Sequence, residues 1–211
     1  MKKKAIVLFL AALLSLSAAG CVKVVPIGQE GTLTGEVEFS ASDNVASLWE
    51  NAVADIESRA VDLPTFLEEA QGNLASLVDK YGKYSMGTSG SISYPVSGTG
   101  TVTEVNQEKK AGYMTVQLDG YDGPEVIKIQ IGSIYKGSST RDTLNIVSFG
   151  DYTNQTEWAE ISQELHTNID TNVIQPANPA ELTGKTISFV GTFTVDGNDE
   201  LLITAVKLDV K

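Results

Sequence analysis

The hydrophobic period changes partway along this chain, from three-to-four before Gly82 to two after Gly90, and one more helical stretch sits among the later β-rich segments. Together these observations predict an α+β chain: an N-terminal helical segment followed by an OB-like Greek-key β-barrel with one inserted helix. The divisions fall at 1–20 for a signal peptide, 21–41 for a tether, 42–86 for the helical segment and 87–211 for the barrel.

The first element is a leader. Lys2, Lys3 and Lys4 give a positive start, Ala5 to Leu16 an apolar core, and Ser17-Ala18-Ala19-Gly20 small residues up to Cys21. That order is a lipoprotein export signal. The apolar run is shorter than the roughly twenty residues a spanning helix needs. Cys21 is the only cysteine, so no internal disulfide competes for its thiol, and lipid attachment there is expected. An ordinary export signal with an incidental cysteine is the bland alternative. Several acyl chains together make such anchoring stable. The expected location is therefore the cell envelope, lipid-anchored, on its periplasmic or extracytoplasmic face. Val22 after Cys21 is not the aspartate of inner-membrane retention, which leaves an outer membrane and a Gram-positive surface both open.

Loss of the leader removes three lysines and no carboxylate, so the −12 of the whole chain becomes −15. Such a charge argues against nucleic acid and anionic headgroups as partners. One histidine and one cysteine cannot build a His/Cys metal cluster, and no cofactor or metal is implied.

The tether carries Pro26, Gly28 and Gly31, and Gly35–Phe39 could pair as a short strand. Ser42 and Asp43 are N-cap candidates for a helix bearing Leu48, Trp49, Ala52, Val53 and Ile56 and ending near Val61. A second helix follows, capped by Asp62 with Pro64 in its first turn and apolar residues from Phe66 to Tyr81, loosened or bent at Gly72.

Strands are predicted over Val96–Val105, Tyr113–Leu118, Val126–Ile134, Leu144–Phe149, Thr186–Val195 and Leu201–Val210. Ile187, Phe189, Gly191, Phe193 and Val195 alternate most clearly. Asp119–Gly123 and Asp196–Asp199 read as hairpin turns rather than calcium loops, lacking the spacing of an EF-hand. The inserted helix runs from about Asn154 to Ile169, with Glu157 three residues after a capping Asn154 and a stripe of Trp158, Ile161, Leu165 and Ile169; Pro176 and Pro179 stop anything beyond.

Two stretches carry a resemblance: Gly132-Ser133-Ile134-Tyr135-Lys136-Gly137-Ser138-Ser139-Thr140-Arg141-Asp142, then Phe149-Gly150-Asp151-Tyr152-Thr153-Asn154-Gln155-Thr156-Glu157-Trp158-Ala159. In order and spacing they resemble a family of predicted bacterial periplasmic lipoproteins of unknown function, over essentially the whole mature chain. The resemblance implies an envelope accessory role and a genomic neighbourhood beside ribose-type sugar ABC uptake systems. It implies no reaction.

The candidate binding cluster is Lys136, Arg141 and Asp142 with Asn154, Gln155 and Glu157. A guanidinium fork and amides are groups that contact sugar hydroxyls or carboxylates. The competing reading makes them struts: Arg141 paired with a carboxylate, Asn154 capping the helix and Gln155 bonding a strand edge. For hydrolysis, Asp151 with Glu157, or Ser138-Ser139 with His166, are the available groups, but no nucleophile elbow accompanies the serines and His166 is expected to be exposed. No catalytic residue is assigned. The preferred function is a lipid-anchored, non-enzymatic accessory or ligand-binding protein, its partners the membrane through Cys21 and an ABC transporter subunit or a small saccharide. Alternatives are an exported hydrolase of envelope glycans or peptides and a structural assembly factor.

Overall fold

The computed structural model describes residues 39–197 and 200–211. Cys21, the expected pairing from Gly35 to Glu38, and Asn198 and Asp199 of the acidic turn lie outside the described residues. Contacts divide the chain into Met1–Phe39 and Ser40–Lys211, and the elements below belong to the second unit.

Helix α1 spans Ala41–Arg59, capped by Ser40, whose hydroxyl accepts from the Asp43 amide at 3.2 Å. The cap therefore lies two residues before the expected Ser42, and both expected caps fall in the first turn. Val45, Ala52 and Ile56 form its buried stripe. Strand β1, Val61–Asp62, pairs parallel with Val96–Ser97, a contact too short to register as a period.

Helix α2 spans Leu63–Ala70, with Asp62 accepting from the Thr65 amide and Pro64 in the first turn, as expected. It does not continue to Tyr81. Gln71 (φ 48°) and Gly72 (φ 80°) are both left-handed and end it. A 3-10 turn over Leu74–Leu77 and the short helix α3, Val78–Tyr81, follow. Strand β2 is Lys83–Tyr84.

The sheet begins with β3, Ile92–Asn106, then β4, Tyr113–Leu118, and β5, Val126–Gln130. The last two strands are β6, Thr186–Thr194, and β7, Glu200–Val210. The five strands form a closed ring: β3 pairs antiparallel with β4, β4 with β5, β5 runs parallel to β7, β7 returns against β6, and β6 closes on β3. With the inserted helix between β5 and β6, this is the expected OB-like connectivity.

The long β3 serves two partners, and Gly100 lies in both ladders, opposite Leu118 and Ile187. A Cβ at Gly100 would stand 2.3 Å from the Gln117 carbonyl oxygen, so a side chain there would push β3 and β4 apart. The expected alternation holds inside the ring, where Ile187, Phe189 and Phe193 are buried. Phe66 of α2 packs on Tyr94 at 4.7 Å and Phe193 at 5.8 Å between ring centroids, joining the helical segment to the sheet in one core. Tyr94 donates to the Leu74 carbonyl, and burial pushes its phenol up to about 12.

Two predicted strands change. The expected Val126–Ile134 strand stops at Gln130, because the Gln130 amide bonds the Thr204 hydroxyl (2.8 Å) and both backbone groups of Lys136, turning the chain away. Leu144–Phe149 forms no strand. Only Leu144 is buried, Ile146 and Phe149 face solvent, and side chains rather than a neighbouring strand satisfy its first backbone groups. Helix α4, Ser139–Thr143, precedes it, docked on β6 through hydroxyl contacts of Ser139 and Thr140 with buried Thr192.

Helix α5, Gln155–Ile169, matches its expected span. Beyond it the chain keeps coiling through a π turn, Asp170–Ile174, and a 3-10 turn, Gln175–Ala177, rather than stopping. Pro176 sits in the opening turn of the latter, where its missing N–H leaves no bond unmade.

Candidate functional site at the α4–α5 junction

The chain between β5 and β6 gathers most of the residues singled out from sequence, but in two roles. Arg141 turns inward: its Nε and Nη2 donate to Asp142 Oδ1 at 2.9 and 2.7 Å, and Nη1 donates to the Trp158 carbonyl at 2.9 Å. Its guanidinium lies 4.3 Å over the Trp158 ring. With both side chains about nine-tenths covered, Asp142 fixes the guanidinium within α4, and the bond and ring contact of Arg141 with Trp158 tie α4 to α5. Asn154 caps α5, accepting from the Thr156 and Glu157 amides at 2.9 and 3.0 Å, while Glu157 accepts from the Thr153 amide at 2.8 Å. Gln155 is exposed on the first turn of α5 and bonds no strand edge among the described residues. Lys136 is held by its backbone to Gln130 and keeps its ammonium exposed.

Composition and spacing did not mark the aromatic rim above these ties. Phe149 is 48% exposed and meets the edge of Trp158 at 6.3 Å, and Tyr152 leans on Trp158 at 5.2 Å. A 3-10 turn, Phe149–Asp151, shapes the rim through a capping box in which Asp151 accepts from the Ser148 amide at 2.7 Å. Trp158, expected on the buried stripe, is only half-buried. Three aromatics within ten residues beside a helix cap were the legible signal. The arrangement can offer ring faces and edges to an apolar or sugar-like surface, with Gln155 nearby in the chain as a donor and acceptor.

A second charged cluster holds the segment from below. Arg59 is bound to Asp55 at 2.5 Å and donates to the Thr143 carbonyl at 2.9 Å; the Asn145 amide donates to Asp55 at 2.9 Å, and Lys83 donates to the Leu144 carbonyl. Burial opposes ionisation of Asp55, but Arg59, the Asn145 amide and the charge of Lys83 outweigh it and hold the carboxyl below its usual range. Burial and then Arg59 push the Lys83 ammonium down, against the pull of Asp55 and Asp142.

Of the hydrolytic groups named from sequence, Ser139, His166, Asp151 and Glu157 each have other contacts. Ser139 is buried and bonded to Thr192, while His166 stacks on Tyr135 at 5.2 Å. His166 was expected to be exposed; instead its Nε2 is buried without a hydrogen-bond partner among the described residues. Asp151 and Glu157 both accept from backbone amides.

A family model described as "Predicted periplasmic lipoprotein (DUF2291)" matches residues 9–209. No curated protein matches the chain. Among solved structures, the chain is similar to a crystal structure described as an OB-fold protein from Thermotoga maritima, at 16% identity and a TM-score of 0.63, covering 82% of this chain and 99% of that one. At that identity the likeness bears on the fold alone.

Proposed function

The chain belongs to this family of predicted periplasmic lipoproteins, and from that premise we propose that it is a non-enzymatic accessory protein that binds a ligand or partner at the envelope membrane. The observation that carries this reading is Phe149, half-exposed against Trp158 on a junction held by the Arg141, Asp142 and Asn154 side chains. A rigid aromatic rim is a binding feature, since burying an aromatic ring contributes strongly to association. In this reading Phe149, Tyr152 and Gln155 contact the bound molecule, and Arg141, Asp142 and Asn154 are positioning residues.

The lipid supplies the rest of the mechanism. Cys21 holds the domain at a membrane surface, which raises the effective concentration of a weak partner without adding a contact. A sugar ABC transporter subunit or the sugar itself is the partner we propose, because an aromatic face suits the C–H side of a pyranose or furanose ring and an amide suits its hydroxyls.

The test uses full-length protein in mild detergent with Trp49→Phe, so that Trp158 alone reports. Titration with ribose and other free saccharides should change Trp158 emission saturably, and Phe149→Ala should abolish the change while leaving melting within a few degrees. In-cell crosslinking from a photoreactive residue at 149 should capture a transporter subunit. Absence of both saturation and capture would overturn the reading.

A further inference from the structure

Among the described residues, strand β7 keeps part of one edge open. Its pairing with β5 covers only Glu200 to Ile203, whereas its pairing with β6 continues to Val210. The Lys211 amide donates to the Thr186 carbonyl at 2.9 Å, so in this antiparallel ladder Lys211, Asp209 and Lys207 turn their backbone groups toward β6. The N–H and C=O groups of Leu208 and Val210 therefore point the other way. No described residue bonds to them.

A groove of about 430 Å³ runs along this edge, lined by Val206 to Val210 on one side and by Asn172, Val173, Pro176 and Ala177 on the other. The π turn and the 3-10 turn after α5 build that second wall.

We propose that this edge accepts an extended segment of a partner protein as an added strand. Unpaired backbone donors and acceptors at alternate residues match the repeat of another extended backbone, and a partner strand makes its main-chain bonds there while its side chains use the adjoining wall. The wall selects small or β-branched apolar side chains through Val173, Pro176 and Ala177. Charge selects a basic neighbour: Asp209 on the groove forms no ion pair among the described residues, and Lys207, whose charge it feels, is bonded to Glu57 at 2.9 Å. The whole chain carries −12, which draws a basic segment toward the groove. Two features disfavour a second copy of this chain. Val206 bulges out of the β6 register, and pairing the edge with itself would bring Asp209 toward its own counterpart.

The probe is an eight-residue peptide alternating valine with lysine, compared with the same peptide N-methylated at alternate amides. Hydrogen exchange of full-length protein in mild detergent, read at Leu208 and Val210, should be fast in the free protein and at least tenfold slower with millimolar peptide. The methylated peptide should give no protection. Val210→Pro removes an outward N–H on an edge strand, where proline is tolerated, so it should melt close to the parent and lose the protection read at Leu208, and Asp209→Asn should weaken binding and flatten its salt dependence. Slow exchange at both amides in the free protein, protection by the methylated peptide, absence of protection by the parent peptide, or a concentration-dependent dimer protecting the same amides would each overturn the proposal.

Discussion

The ring of His166 stacks on that of Tyr135, their centroids 5.2 Å apart and their planes within 19°, and each ring presents a buried polar atom with no well-formed hydrogen bond. Burial, followed by the positive charge of Arg141, lowers His166 to about 4. Burial and the nearby charge of Asp170 push the Tyr135 phenol up. Both groups are thus held neutral.

This stack makes stability fall in acid. The folded His166 sits near 4 against 6.5 when unfolded, so below 6.5 the unfolded chain binds the extra proton. The stabilisation is fully present above 6.5 and is lost as pH falls toward 4, by about 3 kcal/mol. Denaturant melts at pH 7, 5.5 and 4 should record that decline, and His166→Phe should remove most of it between 6.5 and 4. A slope unchanged in the variant would assign the acid sensitivity to carboxylates instead.

Gly100→Ala should destabilise the ring by about 3 kcal/mol, since the added methyl meets the backbone of Gln117 rather than a side chain that can swing aside. Urea midpoints compare the two proteins directly. Near-equal midpoints would mean that β3 and β4 separate more cheaply than their pairing implies.

Gln71→Gly should raise stability by about 0.5 to 1 kcal/mol, because a left-handed backbone at φ 48° costs glutamine more than glycine. The gain should show in the melting temperature. A loss would reveal a role for the Gln71 side chain.

Asn154→Ala should cost about 1 kcal/mol through loss of the α5 cap. Because the capped turn precedes Trp158, the variant should also shift Trp158 emission, whereas Asn154→Asp should restore both stability and emission.

Legibility in the sequence followed locality. The α5 span, the Asp62 cap and the β4 span were readable because a helix repeats its apolar stripe every turn and a strand every second residue, and caps sit next to what they cap. Leu144–Phe149 misled for the same reason in reverse: its alternation resembles a strand, but the bonds that satisfy it come from Asp55 and Lys83, distant in the chain. Within the site, Arg141, Asp142 and Asn154 were legible as polar groups, yet the aromatic rim was not. Whether Phe149 packs inward or outward depends on where α5 lies, not on its neighbours in sequence.

By itself, then, the sequence determined a strongly acidic body and an α+β order with one helix among strands, and led to the expectation of an export leader before Cys21, since each is written in runs of adjacent residues. Only the tertiary structure decided that Gln130 would end β5, that Arg141 would be spent on Asp142 and Trp158, that His166 would be covered, and that β7 would keep an edge open among the described residues. Those outcomes turn on which surfaces are left to meet once the strands close into a ring, and burial and hydrogen-bond satisfaction are properties of that meeting rather than of any one segment.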